Sequence, residues 1–233
     1  MNPDIEFSLV IPFYNEEKNA EFVCNDILHT FRNKQLTFEL IAVNNGSQDN
    51  TPEILARQSQ NNKEIKVVKV DVNQGYGHGV LQGLKTAKGV FIGYSVGDRQ
   101  ISADDVYEVF NEARMNDLEY CQGKRTNRKD TLLRTLNTRF FHFIFHILFP
   151  SPITDNGSNP KIFKKTWYER IQPESKDWFL DSEIIIKTSV LKGKMKEVPV
   201  TFLKRKEGKS KINILASFEM LKNLFKWRLR KIR

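Results

Sequence analysis

The chain has 233 residues, with 37 Lys and Arg against 28 Asp and Glu, for a net charge of +9. That length suits one large domain, and the charge points to anionic partners such as phosphates, nucleotides or an anionic membrane surface; no nucleic-acid partner is expected. Two cysteines, Cys24 and Cys121, exclude a disulfide framework or cysteine metal cluster and fit reduced thiols in a cytosolic setting.

The N-terminal half alternates strand and helix. Phe7 to Ile11 is a continuous apolar run that reads as a buried strand. Pro12 breaks it, and a helix follows to about Phe31 with Asn15 as its N-cap. Phe38 to Val43 is the second strand. Thr51 then serves as N-cap, with Pro52 at the first position of the second helix. Ile65 to Val70 is the third strand, and Asn73 to Gly79 is a glycine-rich loop entering a helix to about Ala87. Val90 to Ser95 is the fourth. This alternation predicts an α/β fold, a Rossmann-like and mainly parallel sheet with helices on both faces. The first strand starts so early that no signal peptide is expected.

Leu118 to Gly123 reads as an edge strand, with a helix running to Phe149 beyond it. The most apolar run, Phe140 to Phe149, is broken by His142 and His146 and is too short to span a bilayer. The two histidines, four apart, have no evident third ligand, so packing or an interface role is expected rather than zinc. Residues 212–233 predict an amphipathic helix with Ile214, Leu215, Phe218, Leu221 and Phe225 on one stripe and a cationic end. That composition suits either a membrane-surface helix or a helix packed on the domain. Two units are therefore expected, 1–210 and 211–233.

The chemistry concentrates where the fourth strand ends, at Gly97-Asp98-Arg99-Gln100. Ligands of open α/β sheets bind outside the carboxyl ends of the strands. The Asp98 carboxylate and Gln100 amide oxygen, two apart on extended chain, can face one hard cation. Asp98 can equally cap a helix starting near Ser102. Gly75-Tyr-Gly77-His-Gly79 is not a dinucleotide fingerprint, and there is no P-loop.

Five stretches, in order, resemble a known family. SLVIPFYNEEKN resembles its opening strand and P-x-Y-N-E loop; VNNGSQDNT is similar to its D-D-G-S-x-D-x-T loop; NQGYGHGVLQGLKTAKG to its N-x-G-x-G helix start; SVGDRQ to its D-x-D-x-Q metal motif; and VPVTFLKRKEGKSK to its E-V-P-V…R-x-x-G-x-S-K stretch. The chain resembles, over nearly its whole length, the inverting family-2 glycosyltransferases of GT-A fold, in particular the dolichyl- and polyprenyl-phosphate sugar synthases.

That resemblance implies a metal-dependent hexosyltransferase. It would move a sugar, with inversion, from a UDP- or GDP-sugar to a polyprenyl phosphate, peripherally on the cytoplasmic face of a membrane. Pro12, Tyr14, Glu16, Asn45 and Gly75 would border the nucleotide sugar, and Asp98 and Gln100 would hold Mg²⁺ or Mn²⁺ against the diphosphate. Arg125, Arg134, Arg205, Ser210 and Lys211 would bind the acceptor phosphate, through the planar guanidinium fork in the case of the arginines. Asp98, Arg125, Arg134 and Asp181 are the implied catalytic set. Asp181 would act as general base for an alcohol acceptor, whereas an ionised phosphate requires none. Glu183 is a second acid beside it, and Asp155 to Lys161 stands where relatives carry D-x-x-x-G-F-R. Two acids of the family pattern are replaced, by Asn44 and Val96. The alternatives are a transferase that extends a surface glycan, or a nucleotide-sugar-binding module without catalysis.

Overall fold

A computed structural model describes residues 5–126, 141–203 and 214–230, the side chains of 214–219 excepted. The elements are β1 (Phe7–Phe13), α1 (Glu17–Asn33), β2 (Phe38–Asn45), α2 (Thr51–Asn61), β3 (Ile65–Val70), α3 (Tyr76–Leu84), β4 (Phe91–Tyr94), α4 (Ala103–Met115) and β5 (Tyr120–Thr126). Then follow a helix α5 over 141–148, β6 (Lys161–Lys164), α6 (Lys165–Ile171), α7 (Leu180–Val190), β7 (Met195–Thr201) and α8 (Ile214–Arg228).

The strands form one seven-stranded sheet in the order β3-β2-β1-β4-β6-β5-β7. Strands β3, β2, β1 and β4 are mutually parallel, β6 runs antiparallel between β4 and β5, and β7 returns parallel to β5. The expected α/β class is therefore observed. The strands β1 and β2 are apolar on both faces because helices cover both. Along β1, Phe7, Leu9, Ile11 and Phe13 enter one core with α1 and α4, while Val10 enters the other with α3 and α7. Stacked rings of Phe7 and Phe110, 4.7 Å apart, anchor the first core. Phe179 and Trp227, 6.0 Å apart, join α8 to the second.

Local expectations are corrected in three places. Asn15 does not cap α1: it adopts φ +52°, and its Oδ1 accepts the Gln48 N–H instead. Thr51 is the first helical residue of α2 rather than its N-cap, and its hydroxyl accepts the Glu16 N–H at 2.9 Å. β5 is an inner strand, because β7 pairs outside it.

One buried carboxylate ties the parallel half together. Glu39, 1% exposed on β2, accepts from Ser8 Oγ at 2.6 Å and Lys88 N–H at 2.7 Å, and meets Lys66 Nζ. Burial pushes its pKa up, but the bonds from Lys66, Ser8 and Lys88 outweigh this, and the value falls below the ordinary 4.5. A folded-state value below the unfolded one gives stability that is complete above 4.5 and lost as pH falls through the lower value. Glu39→Gln should cost about 1–3 kcal/mol at neutral pH. In urea titrations the gap between variant and wild type should shrink below pH 4.5; a gap constant from pH 7 to 3 would refute the assignment.

Candidate active site

The loops leaving β1 and β2 are fastened to each other. Ser47 Oγ accepts the Asn15 N–H, Thr51 Oγ1 the Glu16 N–H, and Asp49 Oδ2 the Glu17 N–H, at 2.9–3.1 Å. In return Asn15 Oδ1 accepts from Gln48, and Glu17 Oε2 from Asn50. Asp49 also accepts the Thr51 N–H, and despite partial burial its bonds hold the carboxyl below its usual range. The polar letters of NEE and GSQDN are thus largely spent in making one rigid double loop. Pro12, Tyr14 and Glu16 ride on it. Asn44 does the work an acid would do there, its Oδ1 accepting the Ser47 N–H at 3.0 Å.

Asn45 closes β2, and its Nδ2 donates to the Gly75 carbonyl at 3.2 Å. Gly75 has φ +117°, and a Cβ there would lie 2.5 Å from the Lys176 carbonyl oxygen; one on Gly77 would lie 2.5 Å from that of Ser175. At these glycines the backbone closely approaches the chain's own 175–177 turn, which also accepts the His78 N–H at Lys176. That turn is held by Glu183. Its fully buried carboxylate accepts the N–H groups of Glu174 (2.9 Å) and Ser175 (2.7 Å) and pairs with Lys187 at 2.8 Å. Between the two segments Tyr76 stacks on Trp178, with centroids 4.5 Å apart and planes at 12°.

Asp98 lies just beyond β4 and is 6% exposed. Its Oδ1 accepts the Gln100 N–H at 3.1 Å. It does not cap α4, because Ser102 is the N-cap and accepts the Asp105 N–H at 3.1 Å. Gln100 is bonded to the end of β7: its Nε2 donates to the Leu203 carbonyl at 3.0 Å, and its own carbonyl accepts the Leu203 N–H at 2.9 Å. This leaves Gln100 Oε1 as the amide atom suited to a cation. Val96 packs against the α1–α4 core and offers no ligand. No group of three His, Cys, Asp or Glu able to cage a metal exists among the described residues. One carboxylate and one amide oxygen do fit a hard cation that takes its other ligands from a diphosphate and water.

The second half brings a charged cluster to the same end of the sheet. Tyr94, inside β4, donates to Asp181 Oδ1 at 2.7 Å. Burial pushes the Asp181 carboxyl up, against the opposing pull of Lys161, Tyr94 and Arg125. Lys161 is wholly buried; its ammonium donates to the carbonyls of Asn156 (2.8 Å) and Ser158 (2.6 Å) and to Gln122 Oε1 (3.2 Å). Burial lowers its pKa, against the pull of Asp181 and Asp155. The Arg125 fork grips Asp155, Nε to Oδ2 at 2.9 Å and Nη2 to Oδ1 at 2.5 Å. Asp155 is fixed in turn by Glu197 of the V-P-V stretch, which accepts its N–H at 2.8 Å. Arg125 therefore reaches the site with part of its fork already engaged by a carboxylate.

Asp98 and Asp181 come close enough for both to act on the Tyr76 hydroxyl. Arg125, Asp155 and Lys161 surround Asp181. Arg134, Arg205, Ser210 and Lys211 lie outside the described residues. Tyr76, Tyr94, Lys161, Asn159 and Trp178 escape a reading of the sequence. Two stretches offered a signal: Asp155 to Lys161, which contains Asn159 and Lys161, and WFLDSE, in which Asp181 was the preferred base over Glu183.

Comparison with known proteins bears on family and fold. A human dolichyl-phosphate beta-glucosyltransferase is 25% identical over 98% of this chain and 76% of its own length. A dodecaprenyl-phosphate galacturonate synthase of Rhizobium johnstonii is 25% identical over 94% and 65%. An uncharacterized Synechocystis glycosyltransferase is 30% identical over 59% of this chain, a match spanning only 43% of that protein. Among solved structures, Mycobacterium tuberculosis glucosyl-3-phosphoglycerate synthase in complex with UDP superposes with a TM-score of 0.76 at 16% identity, over 96% of this chain and 80% of that one. Mannosyl-3-phosphoglycerate synthase from Rubrobacter xylanophilus gives 0.74 at 16%, over 98% and 77%. These likenesses show a GT-A-like fold. The glycosyl transferase family 2 model matches residues 8–172, well over half of the sequence, and the chain belongs to that family.

Proposed function

We propose that the protein transfers a sugar, with inversion, from a nucleotide sugar to a polyprenyl phosphate at a membrane surface. The observation that carries this reading is that Asp98 follows β4 directly, that Asp181 is hydrogen-bonded to Tyr94 at the end of the same strand, and that Arg125 lies at the end of β5, two places along the sheet. The near full-length similarity to lipid-phosphate glycosyltransferases supports the acceptor class.

In this reaction an oxygen of the acceptor phosphate attacks the anomeric carbon from the face opposite the leaving group. The bond to the nucleoside diphosphate breaks, and the diphosphate takes the electron pair. A bound Mg²⁺ or Mn²⁺ would neutralise charge on the diphosphate, with Asp98 and Gln100 as its protein ligands. The double loop carrying Pro12, Tyr14 and Glu16, with Asn45 and Gly75, would hold the nucleotide. Arg125, with Arg134, Arg205, Ser210 and Lys211, would hold the acceptor phosphate. Asp181 sits beside the transfer centre with its pKa raised by burial; an ionised phosphate does not call on it as a base, and an alcohol acceptor would.

The outer face of α8 suits a membrane surface. Leu224 and Trp227 are buried in the core, whereas Phe225 is 54% and Leu229 88% exposed beside the exposed Lys222 and Lys226. On α5, Phe143 and Ile147 are also solvent-facing. No helix among the described residues is long and apolar enough to cross a membrane. A polyprenyl phosphate keeps its tail in the bilayer, so surface docking brings the site to the headgroup, each cation adding about 1 kcal/mol at an anionic surface.

Asp98→Asn should lower kcat/KM for transfer by at least about a hundredfold while leaving the melting temperature unchanged within a few degrees. EDTA should have the same effect on wild type. Radiolabelled transfer from UDP-glucose or GDP-mannose to undecaprenyl phosphate is the measurement, and near-normal turnover by the variant would rule out the assignment.

The double change Phe225→Ser and Leu229→Ser should weaken co-sedimentation with phosphatidylglycerol vesicles by about tenfold or more, since each exposed side chain loses part of its burial gain. It should slow transfer to long-chain acceptors more than to short, soluble ones. Equal vesicle binding at low salt would remove α8 from the docking surface.

A further inference from the structure

The inner face of α8 rests on the segment 174–179, which leads into α7. Trp227 is buried and packs on Phe179, with ring centroids 6.0 Å apart. One turn earlier Asn223 Nδ2 donates to Asp177 Oδ2 at 3.2 Å, and at the end of the helix Arg230 pairs with Glu174. The Lys187 ammonium lies 5.4 Å from the centre of the Trp227 ring, so the indole covers the Lys187–Glu183 ion pair. Beneath it the Glu183 carboxylate is fully buried, and the Lys187 side chain is 12% exposed. A charge pair shielded from water attracts more strongly than an open one. This pair acts beyond itself, because Glu183 accepts the N–H groups of Glu174 and Ser175.

The other side of the same turn meets the glycine loop. The Lys176 carbonyl accepts the His78 N–H at 2.9 Å, and Trp178 stacks on Tyr76. Gly75 and Gly77 lie too close to the Lys176 and Ser175 carbonyls for a Cβ to fit. Gly75 in turn accepts from Asn45 Nδ2 at 3.2 Å. Contacts therefore run without a break from Trp227 to Asn45. The N–H groups of 174 and 175 are held by a side chain rather than by a neighbouring strand, so the position of the turn follows the groups on either side of it. Resting on the proposed transferase activity, in which Asn45 and Gly75 hold the nucleotide, we propose that α8 is a positioning element of the donor site. Trp227 and Asn223 seat the 174–179 turn, and the turn sets the glycine loop for the nucleotide.

Spatial continuity alone does not establish coupling, so the test reads both ends of the path. Full-length Trp227→Ala, Trp227→Phe and the double variant Asn223→Ala with Arg230→Ala are titrated calorimetrically with UDP and with GDP, in Mn²⁺ and without lipid. Whichever nucleotide the wild type binds should bind Trp227→Ala at least about fivefold more weakly, the low end of coupling between sites. Trp227→Phe keeps a ring over Phe179 and Lys187 and should return the affinity to within about twofold of wild type. The double variant removes only surface bonds, so it keeps the fold if Trp227→Ala does not; it should lose about two- to fivefold. In turnover, donor KM should rise by these factors with kcat changed less. Hydrogen exchange at residues 75–79 and 174–179 should quicken in the same variants, at a temperature where circular dichroism shows them folded. Variants that melt lower yet bind the nucleotide as wild type does, with unchanged exchange at 75–79, make α8 a stabilising helix only and overturn the inference. Weaker binding without faster exchange at 75–79 overturns it equally. If the wild type binds neither nucleotide, the transferase reading falls, and the exchange at 75–79 alone then decides whether α8 positions the glycine loop.

Discussion

The hydrogen bond from Tyr94 to Asp181 is the interaction on which the site depends. Tyr94 lies in β4, paired in parallel with Val10 of β1 and in antiparallel with Lys161 of β6. Its hydroxyl, buried without water, needs an acceptor, and α7 supplies the carboxylate. That carboxylate, itself buried, needs a cation, and the neighbouring strand supplies Lys161. The ammonium of Lys161 must in turn be satisfied, and the carbonyls of 156 and 158 fold around it. Each requirement compels the next. The segment that carries Asp155, Asn156 and Asn159 is consequently shaped by an internal charge rather than by its own turn propensities. Removing one member leaves another charge buried alone, the costly kind of loss, so the network specifies one arrangement of the transfer end.

A similar logic, with side chains bonded to backbone, fixes the end of the sheet where β1 and β2 stop. The β1 and β2 loops share reciprocal side-chain-to-backbone bonds, and Glu183 pins the 175–177 turn against Gly75 and Gly77. Two frames therefore meet at Tyr76: one rooted in the parallel half, one in α7. A nucleotide sugar has the same division, with a diphosphate end and a sugar end. Rigid frames on either side let binding proceed with little ordering of side chains, which is how preorganised sites reduce the entropic cost of association.

Much of the scaffold was legible in the residues. The continuous apolar runs of β1 and β2 announced strands covered on both faces, and the helix–strand alternation announced a mainly parallel sheet. The position of Asp98 at a strand end was likewise readable. Other features depend on pairings that sequence spacing hides. Tyr94 sits in an apolar run and looks like core. Gln100 finds Leu203, 103 residues away, only because β7 returns beside β5. Asp181 and Glu183 are two apart in one helix, so they point in different directions. One accepts from Tyr94 of β4 and the other holds a turn, a division that composition cannot reveal. Asn15 misled because its polar side chain suits a cap, while its left-handed backbone sends it to the neighbouring loop.

The two replaced acids now have different physical meanings. At Asn44 the required job is to accept the Ser47 N–H, and an amide oxygen does this as an acid would, at no charge. The loop geometry therefore survives. At Val96 the side chain, partly buried, packs against the α1–α4 core. Apolar packing is stabilising there, and the charge is forgone. In the proposed site Asp98 would be the carboxylate at the end of β4, sharing a cation with an anionic diphosphate. One fewer negative group lessens repulsion of the diphosphate while weakening the protein's own hold on a cation. Under the proposed function cation and nucleotide would then depend on each other: each would supply ligands or charge that the protein alone does not, so their binding would be coupled and reciprocal.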